Sequence, residues 1–172
     1  RKGSATAVVE VKGQAAHAGV APELGRNAAM EAAHQILQLG KLGDAEKKTT
    51  INFTVLKAGD RTNVIPDQAT AKADVRAAVP EEFDRIEKDL ARVSKDKLIA
   101  DTEVTTTLQR GLPPMPQTPE SDRLMAMAQG IYGEIGRKLT EEGSGGAADA
   151  SLSAGVGTPT LDGFGIVGGN IH

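Results

Sequence analysis

The chain has 172 residues, 39% hydrophobic and 25% charged, the composition of a soluble globular protein with room for one domain and part of another. A net charge of −3 argues against a nucleic-acid partner, and no apolar run approaches the length of a membrane span. The absence of cysteine excludes disulfides and thiolate metal sites, so any metal must be held by histidine and carboxylates. It leaves the compartment open between periplasm and cytoplasm.

Residues 5–12 alternate, with Ala5, Ala7, Val9 and Val11 on one side and Thr6, Glu10 and Lys12 on the other, the pattern of a half-buried strand. A loop rich in Gly, Ala and Pro follows from Gly13 to Gly25. Residues 27–39 predict a helix whose apolar stripe is Ala29, Ala33 and Ile36 with Met30 and Leu37, closed by Gly40 and Gly43. A second strand reads from Thr50 to Lys57, with Ile51, Phe53 and Val55 on one face. A third places Ala69, Ala71, Ala73 and Val75 opposite Thr70, Lys72, Asp74 and Arg76. Pro80, Glu81 and Glu82 open a second helix, with proline in the first turn and acids at the positive end of the dipole. Its buried stripe is Phe83, Ile86, Leu90 and Val93, and Val104, Thr106 and Leu108 mark a fourth strand. The order β-α-β-β-α-β predicts an α+β, ferredoxin-like sandwich, a four-stranded antiparallel sheet backed by two helices.

The proline-rich run 111–119 can be neither helix nor central strand, because proline supplies no N–H and restricts its predecessor. It sets a boundary between residues 1–112 and 113–172. Beyond it, residues 121–136 form an amphipathic helix with Leu124, Ala128, Ile131 and Ile135 on one side. A Gly-rich turn from Gly143 to Gly146, a short helix near 149–154 and a strand from Thr158 to Leu161 follow. These elements are too few for an independent core and read as a partial α/β segment. The start at Arg1 and the stop at His172, just past a Gly-rich turn, read as those of a segment from a longer protein.

His17, in Gly13-Gln14-Ala15-Ala16-His17-Ala18-Gly19, is flanked by small residues and open to a ligand, or else is a loop histidine bonded to a backbone carbonyl. His34, on the flank of the first helix, carries no assigned role. Asn63 lies between the second and third strands, where asparagine also serves to make turns. Arg76, on the polar sheet face, is suited either to gripping a carboxylate or to an ion pair with Asp74. His172, after Gly168-Gly169-Asn170-Ile171, has the chemistry of a metal ligand, but one histidine does not make a zinc site.

Five blocks together, in order and spacing, resemble the M20 zinc metallopeptidases, most nearly those carboxypeptidases that release C-terminal glutamate. They are Val11 to Gly19, Pro22 to Ala28, Thr62 to Pro66, Ala73 to Arg76, and Gly145 to Ala150 leading to Gly163 to His172. The resemblance implies a lid (dimerisation) domain at 1–112, followed at 113–172 by part of a catalytic domain that uses two bridged zinc ions. It implies a homodimer made through the lid and a peptide or N-acyl amino acid as substrate. It assigns His17 to oxyanion stabilisation in the partner's site, Asn63 to substrate contact across the interface, and Arg76 to the substrate carboxylate. It makes His172 the last zinc ligand and lines the substrate pocket with Gly145, Gly146 and Asn170. In such an enzyme zinc-activated water attacks the amide carbonyl with a glutamate as base. That glutamate and the remaining ligands are expected upstream of Arg1. Ala148, before Asp149, departs from the Thr or Ser usual in the family and puts a substrate hydroxyl contact in question. Two other readings compete. One is a structural dimerisation module inactive by itself. The other is an RNA-recognition domain, which the scarcity of aromatic residues on the strands rejects.

Overall fold

Residues 1–165 are described in a computed structural model of the chain. In chain order the elements are β1 (Gly3–Lys12), β2 (Ala16–His17), α1 (Ala28–Leu39), β3 (Thr50–Ala58), β4 (Val64–Ile65) and β5 (Gln68–Ala77). They continue with α2 (Pro80–Val93), β6 (Glu103–Arg110), α3 (Pro119–Glu134) and α4 (Ala150–Gly155), with short 3-10 turns at Pro22–Leu24 and Gly40–Leu42. Four strands form one antiparallel sheet in the order β3-β5-β1-β6, the ferredoxin-like arrangement expected from the sequence. β1 is the spine. It pairs with β5 from Gly3↔Ala77 to Lys12↔Gln68 and with β6 from Ala5↔Arg110 to Lys12↔Glu103.

The alternating residues of the central strands point where the pattern predicts. Ala5, Ala7, Val9 and Val11 of β1 and Ala69, Ala71, Ala73 and Val75 of β5 are buried against α1 and α2. So many alanines let the helices lie close to the sheet, and the bulk comes from Leu39, Phe83, Ile86 and Leu90.

Three sequence expectations are corrected. The Ala29, Ala33, Ile36, Met30 and Leu37 stripe is the buried face of α1 only in part: Ile36 packs against the core and Ala29 and Ala33 are half-buried. Ala28, Glu31, Ala32, Gln35 and Leu39 face the core, while Met30 and Leu37 are 54% and 72% exposed. The helix turns this way because two polar side chains find partners inside. Gln35 Nε2 donates to Glu31 Oε1 at 2.7 Å and to the Asp96 carbonyl at 3.0 Å, and Ile99 N–H donates to Glu31 Oε2 at 2.7 Å. A satisfied buried polar network carries little penalty, and hydropathy alone does not reveal it. In β3, Val55 leaves the face of Ile51 and Phe53, because the register slips between Phe53 and Val55. After the slip Leu56, not Val55, stands opposite Ala71. A bulge of this kind reverses the alternation beyond it. Thr158 to Leu161 forms no strand, since no neighbouring strand among the described residues offers it a ladder.

α3 forms as expected and is well started, by a capping box between Thr118 and Ser121 with Pro119 in the first turn. It buries no residue, however, and Met127, Ile131 and Ile135 remain exposed. The proline-rich run before it follows the start of β1, with Ser4 N–H donating to the Leu112 carbonyl and Met115 N–H to that of Arg1.

Beneath the sheet edge, Glu82 ties α2 to the loop after α1. Its carboxylate accepts from Arg85 Nη2 at 2.7 Å and from the Thr49 hydroxyl at 2.7 Å, while Arg85 also donates to the Leu42 carbonyl. The Arg85 hydrogen bonds, with help from Thr49 and Lys47 and against the opposing effect of burial, lower the Glu82 pKa from 4.5 to about 2. A depressed carboxyl contributes stability that is present above its unfolded pKa and lost as pH falls through the folded one. Glu82→Gln is therefore expected to destabilise the fold by roughly 3 kcal/mol at pH 7. Denaturation series should also show a shallower loss of stability than wild type between pH 4.5 and about 2. Identical acid slopes would contradict the linkage.

Candidate functional site

His17 and Asn63, distant in sequence, are brought side by side by a two-stranded ribbon where the sequence pattern predicts only loop. β2 and β4 pair antiparallel, Ala16 with Ile65 and His17 with Val64, and Ala18 N–H donates to the Asn63 carbonyl at 2.9 Å. Both residues are exposed. Asn63 does not use the left-handed backbone of a turn-making asparagine, and its side chain makes no hydrogen bond among the described residues. It is free to meet a ligand.

The ribbon stands on the end of the main sheet that carries Lys12 and Gln68. Gly13 N–H donates to the Asp67 carbonyl at 2.7 Å, and Ala28 N–H to that of Pro66 at 2.9 Å, which ties its roots to α1. The His17 ring is not bonded to a carbonyl. Its Nδ1 accepts the Gly19 N–H at 3.2 Å, so the neutral imidazole carries its hydrogen on Nε2. The ring therefore presents a donor, the chemistry needed to stabilise a developing oxyanion.

Arg76 lies at the opposite end of the sheet, paired with Ser4 and Thr50. Its Nε donates to both oxygens of Asp74, at 3.1 and 2.9 Å, and this bond raises the guanidinium pKa above its ordinary value. Asp74 thus takes one edge of the guanidinium. Nη1 and Nη2 have no hydrogen-bond partner among the described residues, which leaves the outer edge of the guanidinium able to donate. The Gly-rich turn belongs to this end. Ser144 accepts from Lys2 N–H at 3.1 Å, Gly146 N–H donates to Ser144 Oγ, and Gly145 has open space around its Cα. Asn170 and His172 lie outside the described residues.

The eight steps of strand from Ser4 to Lys12 span about 26 Å. His17 and Asn63 are therefore separated from Arg76 and the Gly145-Gly146 turn by the length of the sheet. No group of three or more metal-ligating side chains occurs among the described residues. One chain thus carries two candidate half-sites, His17 with Asn63 at one end of the sheet and Arg76 at the other. His34 has no part in either, and its Nε2 lies 3.2 Å from the Asp96 carbonyl. Gly13, Gly25 and Ile65, which lie within the family-like blocks with no role assigned to them, meet at the root of the ribbon. Their signal was the proximity of the 22–28 block to the His17 block, which only the fold explains.

The ring assignment has a direct check. Nitrogen-15 NMR of the neutral His17 imidazole is expected to show Nε2 protonated and Nδ1 unprotonated. A ring protonated mainly on Nδ1 would contradict the Gly19 bond.

A family profile described as the M20 peptidase dimerisation domain matches residues 1–102. Carboxypeptidase G2 of Pseudomonas sp. strain RS-16 is 37% identical over 171 residues, covering 99% of this chain and 41% of that protein. The chain thus spans less than half the length of that relative. Among solved structures, the aminopeptidase PepT of Bacillus cereus superposes with a TM-score of 0.78 at 28% identity, over 92% of this chain and 42% of that one. The Bacillus subtilis YXEP protein, described as a dinuclear metal binding peptidase of the M20 family, shares the fold. Its TM-score is 0.68 at 20% identity, over 92% of this chain and 39% of that one. The four-stranded sheet, its two helices and the profile match agree: this chain belongs to the M20 peptidase dimerisation domain family.

Proposed function

We propose that the chain is the dimerising and substrate-gripping part of a zinc-dependent exopeptidase. The enzyme would hydrolyse the amide bond next to a C-terminal amino acid of the glutamate type, in a peptide or N-acyl amino acid. The observation that carries this reading is the separation of the two half-sites. A donor pair and a carboxylate grip at opposite ends of one sheet serve one substrate only if two chains contribute. In this reading His17 donates from Nε2 to the oxyanion as the carbonyl carbon becomes tetrahedral, and Asn63 holds the substrate beside it. Arg76, buttressed by Asp74, grips the terminal carboxylate of the substrate bound by its own chain. Gly145, Gly146 and Asn170 line the pocket. The similarity to carboxypeptidase G2 supports the reaction class.

The two zinc ions would supply activated water. Their ligands, apart from His172, are assigned to the rest of the protein, since the described residues contain no group able to hold one. By itself the chain is then an inactive dimerisation module. Residues 1–112 form the lid and 113–172 a piece of the catalytic domain. The uncovered stripe of Met127 and Ile131 on α3, continued by Ile135 at its C-cap, supports that division, as a face suited to meet further structure.

The second copy docks on the α1 and β3 side of the lid. Met30 and Leu37 lie outward on one face of α1, and Val55 and Leu56 are exposed on the edge strand β3, with Leu56 52% exposed. The other edge is charged, with Arg110 bonded to Asp84 and Glu87, and Lys12 to Glu103. A bare apolar edge is a liability that pairing about a two-fold axis removes. Leu37→Glu combined with Leu56→Lys is expected to give a monomer by light scattering, at concentrations where wild type is a dimer. A dimer unaffected by both changes would exclude this face. In the complete enzyme, His17→Ala should lower kcat by about 100-fold with the dimer intact. A near-normal kcat would remove His17 from the reaction.

A further inference from the structure

We infer that Gly25 is the positioning residue of the His17 ribbon, acting as the socket that seats Ile65. The catalytic consequence rests on the function proposed above, whereas the seating does not. Gly25 has φ −78° and ψ 154°, an extended backbone open to any residue, so conformational freedom is not why glycine stands here. Space is the reason. A Cβ on Gly25 would lie 2.6 Å from Ile65 Cδ1, 3.1 Å from Ile65 Cγ2 and 3.3 Å from the Ala16 Cβ. Those two residues form one cross-strand pair of the ribbon, and each adjoins a member of the other pair, Ala16 preceding His17 and Ile65 following Val64.

The shelf under the ribbon is the firmer partner. Gly25 N–H closes the 3-10 turn on the Pro22 carbonyl at 3.0 Å, and Arg26 and Gln14 exchange two backbone hydrogen bonds. The Arg26 guanidinium donates to the carbonyls of Glu23 and Gly25 and to Asp101. Beneath that crossing, a Cβ on Gly13 would lie 1.9 Å from the Arg26 carbonyl oxygen, so these backbones are in full contact. The ribbon has only two residue pairs and little burial to hold it. Rotation about χ2 can carry Ile65 Cδ1 aside. Ile65 Cγ2, at 3.1 Å, is fixed by the stiff β-branched χ1, and the Ala16 Cβ, at 3.3 Å, moves only with its backbone. A methyl group at position 25 therefore presses on the ribbon and not on the shelf.

The test compares Gly25→Ala, Ile65→Ala and the double variant Gly25→Ala/Ile65→Ala in this chain. Amide exchange is measured at Ala18, whose N–H bonds the Asn63 carbonyl, and at Val9 and Ala73 in the core sheet. Gly25→Ala should speed exchange at Ala18 by about tenfold or more, with the core amides unchanged. Restored space in the double variant should bring Ala18 back towards wild type. Unchanged Ala18 exchange in Gly25→Ala, or loss of Ala18 and core protection together, would overturn the inference. So would a double variant no better than Gly25→Ala. In the complete enzyme Gly25→Ala should lower kcat, add nothing to the loss caused by His17→Ala, and recover on adding Ile65→Ala. A loosened ribbon with undiminished kcat would confirm the seating and refute the role assigned to His17 in the reaction.

Discussion

The ladder between β1 and β5 governs where everything else can be. Ten residue pairs, from Gly3↔Ala77 to Lys12↔Gln68, hold the two strands in one register. One end of that ladder carries Ser4 and Arg76, and the other roots the ribbon of His17 and Asn63 through Gly13 and Asp67. A slip of one residue would expose the alanine and valine face and bury Asp74 and Arg76, so the burial of one face enforces the register. The separation of the half-sites is thus a consequence of the same hydrophobic pattern that makes the sheet. In the function proposed here, that separation is what calls for a second chain.

The core that enforces this register is made of small side chains, and two polar arrangements complete it. Glu82 with Arg85, Thr49 and Lys47 fastens the loop after α1 to α2. Gln35 and Gln38, donating to carbonyls at the end of α2, together with Glu31 fasten α1 to the segment before β6. Both arrangements lie on the helix face of the sheet. They fix the two helices and leave the outward side of α1 free to present Met30 and Leu37. The Met30 and Leu37 flank of the apolar stripe is exposed because a satisfied polar network, not hydropathy, decides which way α1 turns.

Most of the fold was legible because it depends on alternation and on helix signals that act locally. The strands at 5–12 and 69–75 and the Phe83, Ile86, Leu90 stripe needed no tertiary information. The failures share one cause, which is that a long-range partner outweighs a local pattern. Val55 lost its face to a bulge set by pairing with β5, and the stripe of α1 was misread because Glu31 and Gln35 are satisfied by residues near 94–99. The Thr158 to Leu161 segment has strand character but no strand beside it. Of the site, the residue types at His17, Asn63 and Arg76 stood out through resemblance to the family. Their division between two ends of the sheet, the Gly19 bond to the imidazole and the contact of Gly25 with Ile65 are properties of three-dimensional packing that no spacing announces.

The account turns on one active site drawing His17 from one chain and Arg76 from another. Its most direct test mixes complete enzyme carrying His17→Ala with enzyme carrying Arg76→Ala, under conditions where subunits exchange. Each variant alone has every site damaged. In a mixed dimer one site carries both defects and the other carries neither. With equal amounts and free exchange, half the dimers are mixed and activity should return to about one quarter of wild type. Activity that stays at the level of the separate variants, with exchange confirmed, would place both residues in sites of a single chain and contradict the account.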